Sequence, residues 1–485
     1  MKLRDYQEEK IIIPLREALR KGEKKILVVS PTGSGKTACF SYMATAARNN
    51  GKRTLVYAHR KEIIRQMSNS MFKFGAPCGQ IVPGKPMTND AIQIGSIQTI
   101  ANRLNLIRRP DLIIADEAHH QTSPTYKKIQ AYWSDVPIIG FTATPERLDG
   151  VGLGDCFDKM IIGPTIKDLV SAGWLSYPIM KRPPNEINAN YHIKRGDFDA
   201  IEQSAIMSQK SIVGDVIEHY RRYLDGLPVI VACVSIKHAF LMAEQFKAAG
   251  YRSVPVWGNM KDSDRDAAIE GLGNGSVQVV TFCDLIGEGV DIPVLAGIIL
   301  LRKTVSLSLY LQWVGRALRP YPGKTEAIIL DHAGNWHIHG HVLQDREWSL
   351  ESQKRTLKNN KEPQTTSCPQ CYGVWPGKIK KCPECGFLFH QETYKETKPI
   401  EVIAGELVDS GLDDETAEQA AVFVKHALNL DKKTRQKALL GRAFSLAIYG
   451  DEGKKIVESL ATAVGYSGGW AKWAWEYVQK NKRGA

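Results

Sequence analysis

Short apolar runs alternate with amphipathic stretches over the first third of the chain. The amphipathic stretches at 36–48 and 61–74 repeat their apolar residues at helical spacing. Alternation of buried strands with helices is typical of a parallel sheet covered on both faces. The pattern therefore predicts a first α/β domain over residues 1–163. Its predicted strands are 26–29, 54–57, 91–94, 112–115 and 137–140.

The same alternation resumes in the middle of the chain after a break. Residues 181–185 contain two consecutive prolines and are interpreted as a connecting segment, and one long helix is predicted over 203–223. The change of domain is expected between 164 and 205. A second parallel-sheet domain is therefore predicted within 164–350, which gives two α/β domains in tandem. Its predicted strands are 228–232, 277–280, 297–300 and 327–330.

The last part of the chain has a different character. A polar, basic linker and a cysteine-rich segment are followed by Leu, Ala and Val at helical spacing, which predicts a C-terminal helical module over 396–485. Within it, Trp470, Trp473 and Tyr477 share one helical face, which favours a small helical core. Stacking of these aromatic residues on nucleic-acid bases is the alternative, because basic residues lie between them.

Composition limits the partners and the compartment of the protein. The 485 residues carry a net charge of +12, and the isoelectric point is near 9.1. Contacts from Lys and Arg to phosphates dominate non-specific nucleic-acid affinity, so this balance fits a polyanionic partner. The sequence shows neither a run of about 20 apolar residues nor an apolar secretory signal. We therefore expect no membrane partner and a cytoplasmic location.

A glycine-rich segment at 30–37, Ser-Pro-Thr-Gly-Ser-Gly-Lys-Thr, follows the first predicted strand and opens the first long helix. Backbone N–H groups of such a loop can turn inward onto phosphate oxygens, and the helix N-terminus adds a favourable field. We expect Lys36 to reach the β- and γ-phosphates of ATP and the Thr37 hydroxyl to bind Mg²⁺. The other predicted phosphate contacts are Thr32, Gly33, Ser34 and Gly35.

An acidic pair at the end of the predicted strand 112–115 supplies the second half of an ATP site. Ligands of open α/β sheets bind where the strands end, so both carboxylates are expected at the same edge as the phosphate loop. We expect Asp116 to hold Mg²⁺ through water and Glu117 to orient or deprotonate the attacking water. His119 completes an Asp-Glu-Ala-His motif and is included among the predicted catalytic residues.

These motifs resemble those of superfamily 2 helicases, and the resemblance extends over about residues 3–335. Residues 3–7, Leu-Arg-Asp-Tyr-Gln, are similar to the adenine-recognising segment of that family, which implies that Arg4 and Gln7 bind the nucleotide. Residues 141–145, Phe-Thr-Ala-Thr-Pro, are similar to the motif that couples hydrolysis to strand movement. The resemblance implies two RecA-like domains, with ATP, Mg²⁺ and nucleic acid as ligands.

Two further segments resemble the last helicase motifs in order and spacing. Residues 287–293 are Gly-Glu-Gly-Val-Asp-Ile-Pro, and residues 312–319 are Gln-Trp-Val-Gly-Arg-Ala-Leu-Arg. The resemblance makes the two arginines of the second segment arginine fingers, which contribute a factor of about 10³ to 10⁵ to the rate in related NTPases. The residues that it assigns to the ATP site are Gly289, Asp291, Gln312, Arg316 and Arg319.

The same resemblance suggests how nucleic acid is held. Residues 57–60 and 95–99 are similar to segments that touch the nucleic-acid backbone. A closer resemblance, to bacterial RadD-like DNA-repair helicases, depends on Asp-His-Ala-Gly-Asn at 331–335 and the cysteine-rich segment that follows. It implies single-stranded or branched DNA, a bacterial or phage-infected cell, and a single-strand-binding or other replication or repair protein as partner. The implied nucleic-acid contacts are Arg60, Gln98, Thr99, Ser235 and Thr281.

Four of the nine cysteines form two Cys-x-x-Cys pairs separated by ten residues, within a predicted zinc ribbon at 366–390. Two such pairs can supply four thiolates to a tetrahedral zinc ion, and disulfides or free thiols are the alternatives. A structural clip and a nucleic-acid contact remain equally open as its role. The histidines between 332 and 341 are expected to have surface or core roles. The predicted zinc ligands are Cys368, Cys371, Cys382 and Cys385.

Together these features predict an ATP-dependent helicase or translocase that acts on DNA in replication, recombination or repair. An RNA helicase is one alternative, because helicase motifs mainly hold sugar and phosphate. The motor subunit of a restriction or defence complex is another. A third is a remodelling protein that anneals strands or displaces proteins without unwinding.

Overall fold

The computed structural model describes residues 3–58, 61–145, 152–184, 191–194, 196–283, 292, 294–351 and 365–389, with positions 461, 472, 474 and 476. The chain forms two compact units, 1–392 and 393–485. The first unit contains both α/β domains and the cysteine-rich segment. The four described positions of the second unit are helical, and Trp470, Trp473 and Tyr477 lie outside the described residues.

The described residues of the first domain form a sheet of seven parallel strands. Most of their positions are buried, which explains why their sequences are nearly continuous apolar runs. The strands are β1 (Lys25–Val29), β2 (Thr54–Ala58), β3 (Gly79–Ile81), β4 (Ile92–Ser96), β5 (Leu112–Ala115), β6 (Ile138–Thr142) and β7 (Lys159–Ile162). Their order across the sheet is β3-β4-β2-β5-β6-β1-β7.

Helices cover both faces of this sheet. Ile26 and Val28 of β1 belong to one apolar core, and Leu27 and Val29 belong to the core on the other face. A π-helical turn at Glu8–Ile12 and 3₁₀ turns at Leu104–Leu106 and Ala118–His120 add to the helices. The helices are α1 (Asp5–Gln7), α2 (Ile13–Arg20), α3 (Lys36–Asn49), α4 (Lys61–Lys73), α5 (Ile97–Asn102) and α6 (Pro124–Tyr132).

The second domain is built around another largely parallel sheet. Its strands are β8 (Tyr177–Lys181), β11 (Val229–Ala232), β12 (Ser253–Trp257), β13 (Val279–Cys283), β14 (Gly297–Leu300) and β15 (Glu326–Asp331), and β9 (Ile193–Lys194) with β10 (Asp197–Phe198) forms a separate hairpin. Its helices, with the preceding α7, are α7 (Ile166–Ser171), α8 (Ala200–Met207), α9 (Lys210–Leu224), α10 (Ile236–Ala248), α11 (Asp262–Asn274), α12 (Leu307–Ala317) and α13 (Asn335–His339). The predicted fold class of two tandem parallel-sheet α/β domains is confirmed.

Two local predictions between the domains were wrong. Lys181 does not begin a connecting segment, because it ends β8, which pairs in parallel with β15 in the sheet of the second domain. The single helix predicted over 203–223 is two helices, α8 and α9, since α8 ends at Met207 and α9 begins at Lys210. The change from the first sheet to the second therefore falls between Ile162 and Tyr177.

The cysteine-rich segment is part of the second sheet and not a separate body. Its strands β16 (Thr365–Ser367) and β17 (Gly373–Pro376) form an antiparallel pair, and β17 pairs with β8. The order across the sheet is β12-β13-β11-β14-β15-β8-β17-β16. Val374 of β17 is buried in the apolar core of the second domain. The second domain thus extends beyond the predicted boundary at residue 350.

The chain returns to the first domain before it reaches β16. Val342 is buried in the core of the second domain, and Trp348 packs against the cores of both domains. Leu350 packs on the first domain, where its carbonyl accepts a hydrogen bond of 2.9 Å from the N–H of Gly154. The segment 342–350 therefore ties the two domains together. Among the described residues, no helix combines the length and apolar character that crossing a membrane requires.

Candidate active site

A cleft of about 740 Å³ lies between the two α/β domains. Both domains supply its polar walls, and the segment between them adds one aromatic residue. The predicted site residues that line it are Arg4, Gln7, Thr32, Gly33, Gly35, Lys36, Thr37, Asp116, Glu117, Gln312, Arg316 and Arg319, together with Trp174.

The glycine-rich segment forms a tight loop between β1 and α3. Gly33 and Gly35 have φ angles of +87° and +78°, a region that side chains rarely adopt. Lys36 begins α3, and its Nζ donates to the carbonyl oxygen of Ser30 over 3.3 Å. The Ser30 hydroxyl donates to the buried Ser34 hydroxyl over 2.7 Å. Ser30 therefore stabilises the loop from inside, at the position where related loops have glycine.

The N-terminal segment braces this loop. Gln7 is 2% exposed, and its Nε2 donates to the carbonyl oxygens of Ser34 at 3.0 Å and Gly35 at 3.3 Å, while its Oε1 accepts from the Arg4 N–H at 3.1 Å. The Tyr6 hydroxyl also donates to the Ser34 carbonyl, at 2.9 Å. Both ends of the Gln7 amide are thus bonded to the protein in this conformation. Gln7 fixes the loop that the predicted phosphate contacts require.

The acidic pair directly follows β5 and is half-buried. Glu117 has a φ angle of +46°, a left-handed conformation that costs a residue with a side chain about 1–2 kcal/mol. His119 Nδ1 lies 3.4 Å from Glu117 Oε2 and 3.2 Å from the Thr142 hydroxyl, which donates to the Thr144 carbonyl at 2.7 Å. His119 therefore connects the carboxylate to the segment that ends β6, the motif expected to couple hydrolysis to movement.

The second domain reaches the phosphate loop through α12. Gln312 and Arg316 lie on this helix, and Arg316 is only 4% exposed. A Cβ atom placed on Gly315 would lie 2.8 Å from Cβ of Thr32, so the α12 backbone touches the loop of the other domain. Glycine at position 315 is what permits this close approach. Arg316 and Arg319 line the same cleft as Lys36 because of it.

A polar network fixes the loop that precedes α12. The Asn335 side chain accepts from the Thr304 N–H at 3.0 Å and donates to the Arg302 carbonyl at 2.9 Å. Asp331 accepts from the Trp336 N–H at 2.8 Å. Asp197 of the β9–β10 hairpin accepts from the Thr304 hydroxyl at 3.0 Å. The Asp-His-Ala-Gly-Asn segment thus positions the loop that leads into the first turn of α12.

Lys324 fixes the other end of α12. Its Nζ donates to the carbonyl oxygen of Arg319 at 2.9 Å and also contacts that of Ala317. Burial lowers the pKa of Lys324 to about 8. The side chain therefore closes the helix end that carries Arg319 into the cleft.

Three of the histidines that follow β15 have core roles, whereas His337 is exposed. His332, His339 and His341 are buried. Burial lowers the pKa of His332 to about 3 and that of His341 to about 4, so both are neutral at physiological pH. Within the described residues, the cysteine cluster is the one group of metal-ligating side chains that converge.

The predicted nucleic-acid residues are not equally available. Gln98 is exposed at the start of α5, whereas Thr99 is buried and hydrogen-bonded to Ser96 at 2.7 Å. Ser235 caps α10 by accepting from the His238 N–H at 3.1 Å. Arg60, a predicted nucleic-acid contact, lies outside the described residues, as do Gly289 and Asp291, which were assigned to the ATP site.

Thr281 requires a correction. It lies within β13, is fully buried, and donates its hydroxyl hydrogen to the Ala239 carbonyl at 2.7 Å. A side chain committed to the contact between β13 and α10 does not reach a strand of nucleic acid. Thr281 therefore has a structural role in this conformation.

The four ribbon cysteines converge. Their sulfur atoms all lie within 4.8 Å of one another, with 3.5 Å between Cys368 and Cys385 and 3.6 Å between Cys371 and Cys382. A tetrahedral ion with bonds of about 2.3 Å separates its ligands by about 3.8 Å, so the set fits zinc. The residue after each pair, Tyr372 or Gly386, has a positive φ angle. Its N–H donates a hydrogen bond of 3.0 Å to the carbonyl oxygen of the first cysteine of that pair.

Comparison with known proteins defines the family. Residues 1–147 match the family described as type III restriction enzyme, res subunit, and residues 213–321 match the helicase conserved C-terminal domain. A 51.5 kDa protein of a Lactococcus phage (isolate 7-9) is 34% identical over 378 residues, which cover 77% of this chain and 80% of the phage protein. The chain belongs to the superfamily 2 helicases. It is accordingly a nucleic-acid-stimulated ATPase of the helicase type.

Other relatives of the helicase are longer. A candidate mitochondrial ATP-dependent helicase of Schizosaccharomyces pombe is 28% identical, over 68% of this chain and 57% of its own length. The helicase thus spans little more than half of this fungal relative. A solved fragment of a candidate HsdR subunit of a type I restriction enzyme from Vibrio vulnificus YJ016 has a TM-score of 0.54 at 20% identity, covering 70% of each chain. That likeness shows the shared fold of two RecA-like domains.

Trp174 is a cleft residue that the sequence analysis missed. It is 37% exposed, and the Arg4 guanidinium carbon lies 3.9 Å from the centre of its ring. The neighbouring Leu175 contacts the phosphate loop, because a Cβ on Gly33 would lie 2.8 Å from its Cδ2. A single tryptophan between two domains forms no motif, and only the fold brings it to the cleft. Its position beside Arg4 suits stacking on the nucleotide base.

Replacement of Gly315 by alanine is expected to lower kcat of the stimulated ATPase about tenfold or more. The new Cβ would collide with Thr32 when the cleft is closed, and such overpacking costs about 1–3 kcal/mol. Alanine is the better helix former, so the midpoint of thermal unfolding should not fall. Steady-state kinetics and thermal unfolding measure both quantities. Gly273→Ala in α11 is the matched control, because its Cβ would meet nothing within 4 Å. Equal kcat for the two variants would contradict the role of the contact.

Replacement of Trp174 by alanine is expected to raise KM for ATP roughly fivefold to tenfold, with a smaller effect on kcat, because a stacking surface beside a cation is lost. Trp174→Phe should retain most of the affinity. Inhibition by inorganic tripolyphosphate, which has no base, should be the same in all three proteins. Tyr132→Ala, an exposed aromatic change on α6, serves as the control. If tripolyphosphate binding weakened in parallel with ATP binding, Trp174 would not act on the base.

Proposed function

We propose that this helicase hydrolyses ATP in the interdomain cleft to translocate along DNA or unwind it. The observation that carries the proposal is the contact of Gly315 with Thr32, which brings Arg316 and Lys36 to one cleft. A guanidinium from one domain and an ammonium from the other can then stabilise the same transferring phosphoryl group. Hydrolysis would remove the ligand that holds the domains together.

Seven of the predicted site residues have a role in this proposal. Lys36 binds the β- and γ-phosphates, and Glu117 orients or deprotonates the attacking water, with His119 holding its carboxylate. Arg316 and Arg319 stabilise the charge that develops on the γ-phosphate. Mg²⁺, held by the oxygen donors of Thr37 and Asp116, would neutralise phosphate charge.

DNA is the proposed substrate for two reasons. The family matched by the first domain is described as a restriction-enzyme subunit, and restriction enzymes act on DNA. The resemblance to RadD-like repair helicases favours the same choice. RNA remains the second candidate, because relatives at 23% identity include a pre-mRNA-splicing ATP-dependent RNA helicase. A cytoplasmic location and a single-strand-binding or repair protein as partner stay predictions.

We also propose that the ribbon holds one zinc ion. The convergence of Cys368, Cys371, Cys382 and Cys385 supports this, since thiolates are preferred zinc ligands. The ion would link the two cysteine pairs, which the segment is too short to hold together by an apolar core.

The steady-state ATPase rate should rise strongly with single-stranded or forked DNA, and Lys36→Ala should abolish at least about 99% of the stimulated rate. Matched RNA of the same sequence distinguishes the two substrates. Stimulation by RNA alone would overturn the choice of DNA. Stimulation that survives in Lys36→Ala would overturn the proposed site.

Purified protein should contain about one zinc ion per chain, measured by atomic emission. Cys382→Ser should lose most of this zinc and lower the midpoint of thermal unfolding by several degrees, because metal binding contributes folding free energy. Cys78→Ser, which removes a thiol of the first domain, is the control and should retain the zinc. Full zinc content in Cys382→Ser would exclude the proposed ligand set.

A further inference from the structure

The ribbon has two hairpins with different surroundings. The inner hairpin, β16–β17, is joined to β8 and contributes Val374 to the core of the second domain. The outer hairpin, residues 380–389, closes through a bridge between Lys381 and Leu388 and a hydrogen bond of 2.9 Å from the Phe389 N–H to the Lys380 carbonyl. Leu388 is 58% exposed. The inner hairpin anchors the ribbon, and the outer one faces solvent.

The exposed side chains of the ribbon carry a net positive charge. Lys378, Lys380 and Lys381 are all exposed and lie at or next to the outer hairpin. Glu384 is the one acidic residue between 365 and 389. Its carboxylate forms an ion pair with Lys181, whose side chain is only 4% exposed. The acidic residue is thus neutralised by the domain beneath the ribbon, while the three lysines remain available.

Two aromatic rings lie on the same hairpin as Lys380 and Lys381. Phe387 and Phe389 of the outer hairpin have ring centres 5.3 Å apart, and both are partly exposed. Lysines that bind phosphates next to aromatic rings that stack on bases are the combination found in sites for single strands. An acidic protein surface could pair with the lysines but has no bases that could stack on the aromatic rings. The combination therefore favours nucleic acid.

The ribbon is also fixed to the second domain by more than strand pairing. Lys181 Nζ donates to the Cys371 carbonyl oxygen over 3.3 Å and also forms an ion pair with Glu384. The Arg182 N–H donates to the Tyr372 carbonyl at 3.1 Å, and the Arg182 side chain contacts Ser367. A ligand on the outer hairpin would therefore move with the second domain when the cleft opens or closes.

We propose that the outer hairpin, with Lys378, is a nucleic-acid contact carried by the second domain. The lysines bind backbone phosphates of a single strand, and Phe387 stacks on a base. This inference deepens the proposed function and rests on it. The ribbon would then hold the strand and move with it relative to the first domain each time the cleft opens and closes during the ATP cycle.

The test compares two triple variants, each of which removes three lysine charges. One is Lys378→Gln, Lys380→Gln and Lys381→Gln in the full chain. The control is Lys21→Gln, Lys24→Gln and Lys128→Gln, which changes exposed lysines of the first domain. The affinity for a fluorescent oligothymidine is measured by anisotropy over a range of salt concentrations. Bound zinc and the thermal midpoint establish that each variant is folded.

The ribbon variant should bind at least about tenfold more weakly than the control variant. The slope of log Kd against log salt should fall by about 2, since each phosphate contact on a single strand contributes about 0.7. Phe387→Ala should weaken binding with an unchanged slope, because loss of stacking releases no counterions. Equal affinity and slope for the ribbon and control variants would overturn the inference. If that result came with DNA-stimulated ATPase that requires Lys36, the proposed function would stand and only the ribbon contact would fail.

Discussion

The approach of α12 to the phosphate loop is the contact on which the cleft depends. Gly315 has no side chain that would collide with Thr32, so the α12 backbone can approach the phosphate loop closely. The distance matters because a guanidinium helps phosphoryl transfer only when it reaches the developing charge. Arg316 is nearly buried in this arrangement, and its burial is compatible with an ionised group because the cleft is polar. Each of the surrounding networks fixes one partner of this contact.

Those networks act on the two partners from opposite sides. Gln7 and Tyr6 hold the carbonyl groups of the phosphate loop in the first domain. Asn335 and Lys324 hold the two ends of α12 in the second domain. Buried polar groups of this kind cost free energy unless their hydrogen bonds are made, so both networks favour single, well-defined positions. The segment 342–350 then limits how far the two halves can separate, because it is packed into both.

How well each element could be predicted depends on how far apart in the sequence the residues that stabilise it lie. Buried parallel strands gave continuous apolar runs, so most central strands and both halves of the ATP motif followed from the sequence alone. β8 was missed because Tyr177–Lys181 contains a proline and ends in a lysine. That lysine is stabilised by Glu384, more than 200 residues away, which no local pattern can indicate.

The burial of Thr281, which was predicted as a nucleic-acid contact, has a similar cause. A motif identifies the end of a strand, but side chains alternate between the two faces, so one residue decides whether a hydroxyl faces a ligand or a helix. Thr281 faces α10. Trp174 was missed because a single aromatic residue between two domains belongs to no periodic pattern in the sequence. Only the packing of Leu175 on the phosphate loop brings it to the cleft.

The ribbon shows how two weak elements stabilise each other. A segment of this length cannot bury a core of its own, and without β17 the free side of β8 would expose unpaired backbone groups at the sheet edge. Pairing of β17 with β8 solves both problems, and the two cysteine pairs then hold β17 in shape. The spacing of the cysteines indicates the ligands but not this docking, because docking depends on the edge that β8 presents. It follows that the cysteine cluster and the second domain are one folding unit, so the proposed zinc ion is expected to stabilise the domain that carries Arg316 and Arg319.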